Sequence, residues 1–186
     1  MTDEEDGKME YIKTRSELAT ADCDWERSWR RARLRGLGSK ASSFLWKLLH
    51  DILPTEQRLN RILPNSSEVC KLCPNQVVAD QTHSLFKCVN TRGVGEWLLV
   101  MVKKLDPTVT PSRLIRLEFE SDESTEMPMV WIIAQTLLYL WGVRADGKIA
   151  SLILTRAELE SKISLLRETR YHNEYNLMKE MLEANL

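Results

Sequence analysis

The feature that most constrains this chain is a set of four metal-ligand side chains in a short stretch. Cys70-Lys71-Leu72-Cys73 is followed after nine intervening residues by His83, and after four more by Cys88. Two thiols separated by two residues sit across a tight turn, and the later imidazole and thiol lie close enough in sequence to converge on the same point. Zinc accepts nitrogen and sulfur tetrahedrally, with Zn–S near ~2.3 Å, so three thiolates and one imidazole fill every coordination position. No position remains for an activated water, and the expected role is structural. Cys70, Cys73, His83 and Cys88 are therefore predicted to hold one zinc ion (Zn2+) as a knuckle, with the metal completing the folding of that region.

Disulfides are the competing use of cysteine. The remaining cysteine, Cys23, stands apart from the cluster and reads as an ordinary thiol. The chain opens on Asp3-Glu4-Glu5-Asp6, without the apolar run and small-residue site of a secretory signal. Both points favour metal over disulfides and a reducing, intracellular setting, cytoplasmic and/or nuclear.

The rest of the chain reads as helices. Its 186 residues, 43% of them hydrophobic, suffice for one globular core. Residues 1–22 are charged and aperiodic, and the expectation is a disordered acidic tail followed by a single helical domain over 23–186, with the zinc module at 66–90. Asp24 caps a first helix carrying Trp25, Trp29 and Leu34 until Gly36 and Gly38 break it. A second, about Ser39–Asp51, places Ala41, Phe44, Leu45, Leu48 and Leu49 on one face, and Pro54 stops it. Thr55 caps a third, with Leu59, Ile62 and Leu63 expected to face inward. Beyond the cysteines, Val94, Trp97, Leu98, Met101 and Val102 predict a helix ending by Pro107, and Thr110-Pro111 starts a short one. Met129–Arg144 is apolar nearly all round, which places it at the centre of the core. The uncharged run Met127–Val143 is short for a membrane span and carries Pro128, Gln135 and Thr136, so no membrane association is expected. Residues 148–170 form an amphipathic helix packed on it, and Leu177, Met181 and Leu182 continue or fold back. No segment alternates as a strand would, so the fold class is all-α, an irregular helical domain with one embedded Cys-Cys-His-Cys knuckle.

Charge is balanced overall, 26 basic against 27 acidic side chains, so attraction to nucleic acid must be local. Arg27, Arg30, Arg31, Arg33, Arg35 and Lys40 lie in a stretch with no acid, and Lys71 and Lys87 flank the knuckle. Guanidinium groups suit phosphate oxygens, which makes these residues candidate contacts for RNA or DNA. They share one helix face only in part, and pairing with the acidic segment Glu118–Glu126 competes with that use. Trp46 offers a surface for base stacking, but its apolar neighbours argue for the core. His50 beside Asp51 reads as a capping or surface residue, since no nucleophile accompanies it. His172 and Tyr171 read as solvated.

The run Phe44-Leu45-Trp46-Lys47-Leu48-Leu49-His50, then Leu53-Pro54-Thr55 and Arg58-Leu59, ahead of the cysteine cluster, resembles the zinc-binding domain of reverse transcriptases from non-LTR retrotransposons. The likeness runs over about residues 25–100, with looser similarity to the C-terminal end of such polyproteins beyond. It implies Cys70, Cys73, His83 and Cys88 as ligands and a role beside template RNA or target DNA. The polymerase motif Tyr-x-Asp-Asp, whose carboxylates hold catalytic magnesium, is absent from the sequence, so the reading is not an enzyme but a nucleic-acid-binding accessory module derived from such an element. The alternative is a zinc-stabilised interaction domain whose C-terminal helices bind a protein partner or self-associate.

Overall fold

The computed structural model describes residues 23–63, 65–166 and 171–184. The expected acidic tail, 1–22, lies outside the described residues. Among those described, every regular element is helical, and one isolated antiparallel bridge, Val69 to Val78, sits inside the cysteine cluster.

Helix α1, Trp25–Ala32, begins where Asp24 accepts a hydrogen bond from the Arg27 backbone N–H at 3.0 Å. It ends in a turn through Gly36 and Gly38, both at positive φ, which a side chain would strain. Helix α2, Ser39–Leu49, buries Ala41, Phe44, Leu45, Leu48 and Leu49 as its periodicity requires. Its last turn is closed by His50, whose Nδ1 lies 2.9 Å from the Trp46 carbonyl oxygen. Trp46 departs from expectation: it is 48% exposed rather than in the core. Position 46 falls off the stripe formed by 41, 44, 45, 48 and 49, and the indole packs instead on the His50 ring, centroids 4.1 Å apart, with Trp29 on the ring's neighbouring side at 4.6 Å.

Helix α3, Glu56–Ile62, is capped by Thr55 as expected but buries none of its residues. Ile62 and Leu63 are exposed and Leu59 is half-buried, against the inward face predicted for them. The helix is two turns long and lies over the cysteine cluster rather than the main core, tied there by the Gln57 N–H to the Ala79 carbonyl at 3.3 Å. After the cluster come α4, Arg92–Lys103, and α5, Pro111–Ile115, the latter with Thr110 as cap and proline in the first turn.

Helix α6, Glu123–Ala145, is the hub and packs against α1, α2 and α4. It starts earlier than the apolar run, because Asp122 caps it through the Thr125 N–H at 2.8 Å. Glu123 and Glu126 then lie in its first turn, where the helix dipole favours negative charge, so the end of the acidic segment is helical. Met129 to Leu137 is buried without a break. The helix is long and apolar enough to cross a membrane by composition, yet most of that stretch is covered by the other helices. Helix α7, Leu152–Ser164, begins later than the predicted residue 148, and the predicted stretch 167–170 lies outside the described residues; Leu159 and Ile163 are buried, while Ile149 and Ile153 are exposed. Helix α8, His172–Glu183, folds back on α6 and α7 through Met178 and Leu182. One continuous cluster of buried side chains runs from Trp25 to Leu182.

Candidate metal centre

The knuckle is built from a reversal between Glu68 and Ala79. Cys70 N–H donates to the Val77 carbonyl at 2.8 Å and Ala79 N–H to the Glu68 carbonyl at 2.9 Å, with Gln76 at positive φ in the bend. This presents Cys70 and Cys73 on one side. The other two ligands come from the turn His83–Lys87, whose hydrogen bond runs from the Cys88 N–H to the His83 carbonyl at 2.7 Å. That i to i+5 bond makes it a π turn, and the sequence spacing explains why. In an α-helix residues five apart differ by about 140° around the axis, whereas the wider turn brings the first and sixth residues to the same side. Asp80 caps the entry, its Oδ1 accepting from the His83 N–H at 2.5 Å.

Cys70, Cys73, His83 and Cys88 each offer one ligand atom, and these atoms all lie within 4.8 Å of one another. The finer distances test the fit to zinc. Tetrahedral coordination at ~2.3 Å per sulfur implies sulfur–sulfur edges of about 3.8 Å, and about 3.5 Å from sulfur to an imidazole nitrogen. Cys70 Sγ and Cys73 Sγ each lie 3.8 Å from Cys88 Sγ, and Cys73 Sγ lies 3.4 Å from His83 Nε2. These three separations match the edges of a zinc coordination tetrahedron, the remaining ones stay within 4.8 Å, and His83 Nε2 is the nitrogen turned toward the thiols.

Protonation within the cluster follows its surroundings. Burial pushes the Cys88 thiol up to about 12, and a Cys70 thiolate alongside pushes the same way. Burial acts on Cys70 too, but the Leu72 and Cys73 backbone N–H groups together with the Cys73 and Cys88 thiols outweigh it and hold that thiol below its ordinary value. Burial also lowers the His83 pKa, which favours the neutral imidazole that a metal requires. A buried group of thiols crowded at sulfur-edge distances is costly to ionise alone, and a divalent cation at its centre reverses that cost.

The knuckle is fastened to the helical core at several points. Leu85 and Phe86, between the last two ligands, are buried in the main cluster as predicted. Gly95 of α4 lies so close beneath them that a Cβ there would stand 2.8 Å from the Leu85 carbonyl oxygen. Thr91 Oγ1 donates to the Ser84 carbonyl at 3.0 Å, and Asn90 Nδ2 to the carbonyls of Gly147 and Lys148 at 3.2 and 2.9 Å. The Val89 N–H points at Cys73 Sγ from 3.5 Å. Sequence reasoning missed these supports because none of them belongs to a ligand pattern.

The basic candidates divide sharply. Arg31 is fully buried: Nε donates to Glu126 Oε1 at 3.0 Å, Nη1 to the carbonyls of Leu117 and Phe119 at 2.6 and 2.9 Å, and Nη2 to Ser121 Oγ at 2.8 Å. Its guanidinium also lies 4.0 Å from the centre of the Phe119 ring. It is a core arginine with its donors engaged, not a phosphate contact, because its position on α1 faces the chain entering α6. Arg30 bonds Glu126 at 2.9 Å and Arg27 reaches Glu120 at 3.5 Å, so the acidic segment does compete for this helix. Arg33 and Arg35 are exposed and, with Arg27 and Arg30, line one open groove together with Asp24 and Glu26. Lys40 is exposed on a different groove, between α2 and α6, and Lys71 and Lys87 are exposed on the knuckle.

The fold and the ligand set together define a helical protein with a structural knuckle of the Cys-Cys-His-Cys class, suited to zinc. Residues 10–94 match the model of the family described as zinc-binding in reverse transcriptase, and this segment is a zinc-binding domain of reverse-transcriptase type. The match contains all four ligands and leaves α5 to α8 outside it. No curated protein and no solved structure matches the chain.

Proposed function

We propose that this chain is a non-catalytic accessory module, derived from a retrotransposon reverse transcriptase and acting inside the cell, that binds the phosphate backbone of RNA or DNA while zinc holds its knuckle in shape. The observation that carries the reading is the groove on which Arg27, Arg30, Arg33 and Arg35 converge. Arg30, Arg33 and Arg35 are exposed, and of the two carboxylates that Arg27 and Arg30 hold, Glu120 lies at the surface, where a phosphate can replace it at little cost. The half-exposed Trp46, backed by His50 and Trp29, stands one helix away as a flat surface for an unpaired base. Lys71 and Lys87 extend the positive surface onto the knuckle.

Counterion release makes such binding salt-dependent, with a slope of roughly 0.7 to 0.9 in log affinity per phosphate neutralised. The test is a salt titration of zinc-loaded protein against single-stranded RNA and duplex DNA. Arg33→Ala with Arg35→Ala is expected to lower the slope by about one to two phosphates with no loss of fold. Arg31 is unsuitable for this test, because its removal takes the side-chain donor from the Leu117 and Phe119 carbonyls and one of two cations from Glu126, at about 1–3 kcal/mol for each buried acceptor left unpaired. Binding that ignores salt, or that the double variant leaves unchanged, overturns the reading.

One observation favours the alternative, an interaction domain. Ile149, Ile153, Leu154 and Leu165 are exposed at 76, 80, 63 and 75% along α7 and its approach, an apolar surface of the kind that docks protein or a second copy. Concentration-dependent sedimentation that Ile153→Asp abolishes, with no affinity for nucleic acid, supports that reading instead.

A further inference from the structure

Three thiolates and a neutral imidazole around a divalent cation leave one net negative charge, and Cys70 and Cys88 hold theirs in the interior. Buried charge is costly unless a partner of opposite sign is close. The cation that meets Cys70 does not belong to the knuckle. It is Arg144, in the last turn of α6, only 8% exposed, with Nη2 4.0 Å from Cys70 Sγ. The same nitrogen donates to Glu56 Oε2 of α3, the guanidinium lies 5.8 Å from the Trp141 ring centre, and Nε has no hydrogen-bond partner among the described residues. Arg144 thus comes from outside the segment that matches the zinc-binding family and is inserted between the cluster and the main core.

We propose that Arg144 is a positioning residue for the metal site: clamped by Glu56, its guanidinium donates toward the Cys70 thiolate and supplies the counter-charge that lets the four ligands hold zinc tightly. The inference rests on the zinc reading of the cluster. A plain ion pair with Glu56 is the competing account, and the two differ in what each partner does. If Arg144 serves the thiolate, removing Glu56 leaves the guanidinium free to turn wholly to sulfur, and metal binding is kept. If Arg144 serves only Glu56, deleting either partner has the same effect. Outer-shell groups of this kind are worth about 10–100-fold in metal affinity.

The test compares the full chain with Arg144→Met, Arg144→Lys and Glu56→Gln. Zinc affinity is measured by competition with a chromophoric chelator, and cobalt(II) substitution supplies the sulfur-to-metal charge-transfer band. Arg144→Met is expected to weaken zinc by about 10–100-fold and to move the cobalt band to lower energy, because an uncompensated thiolate gives up its electrons more readily. Arg144→Lys keeps the charge but not the planar fork and falls between, and Glu56→Gln binds zinc at least as tightly as the parent. Should Arg144→Met not fold, Arg144→Lys against Glu56→Gln decides. Wild-type affinity with an unmoved band in the Arg144 variants overturns the proposal, as does an equal loss in Glu56→Gln. A parent chain that binds neither zinc nor cobalt stoichiometrically overturns the zinc reading itself, which separates the two failures.

Discussion

The knuckle and the helical core solve the same problem by different means. The core is a continuous apolar cluster drawn from seven of the eight α-helices among the described residues and from the π turn, with α6 buried along most of its length. The knuckle's own cluster is Cys70, Ala79 and Cys88, with Leu72 and Cys73 against it. That is too little apolar surface to order a loop of this length, so its shape must come from the metal and from a few bonds into the core. The comparison teaches that two stabilities coexist here, one that follows burial and one that follows coordination, and that Arg144, Asn90 and Gly95 are where they meet.

The sharpest way to break this comparison is to remove coordination and burial separately. Cys88→Ser should abolish stoichiometric zinc and strip hydrogen-exchange protection from residues 66–90, while α1, α2 and α6 stay protected. Leu45→Ala, in a fully buried position, should do the reverse, lowering global stability by about 2–5 kcal/mol with zinc content intact. If chelation melts the core as a single transition with the knuckle, the two regions are one cooperative unit.

Gly95→Ala tests their contact. The added methyl meets the Leu85 carbonyl and, at 3.1 Å, the Phe86 Cα, so backbone must move. We expect about 1–3 kcal/mol of destabilisation together with weaker metal binding, since the displaced turn carries His83 and Cys88. Loss of stability with unchanged zinc affinity would show that the turn holds its geometry without α4.

The smallest expected effect lies wholly in the core. Asp106 is 3% exposed; burial raises its pKa, but donors from Thr108 Oγ1 at 2.6 Å, the Thr108 and Glu120 N–H groups, and the Arg113 charge outweigh burial and hold it below the usual carboxylate range. A depressed pKa contributes stability that is present above the unfolded value, near ~3.9, and lost as pH falls through the folded one. Asp106→Asn should therefore flatten the acid limb of the stability curve below about pH 4, leaving metal content at neutral pH unaltered.

Much of this was readable beforehand where local chemistry decides. The caps Asp24, Thr55 and Thr110 hold as predicted, because a side-chain oxygen meets a backbone N–H within the same turn. The four ligands converge because their identities leave few other uses. The failures are of one kind. Arg31 looked like a phosphate contact and Ile62 and Leu63 like core, and both readings assumed that polarity tells which way a residue faces. Trp46 failed in the same manner, one position off a stripe whose neighbours were correctly placed. Arg144 carried a faint signal, a lone charge closing a helix apolar on all sides, which has nowhere to go but a buried partner.

Sequence alone therefore determined the helical class and the Cys-Cys-His-Cys ligand set, since periodicity, capping and ligand chemistry act over a few residues. Tertiary structure alone decided which arginines are spent inside and which remain on the surface, and that the cluster's counter-charge arrives from α6. Those outcomes depend on which distant segments pack together, and a buried charge takes its meaning from a partner that sequence distance does not reveal.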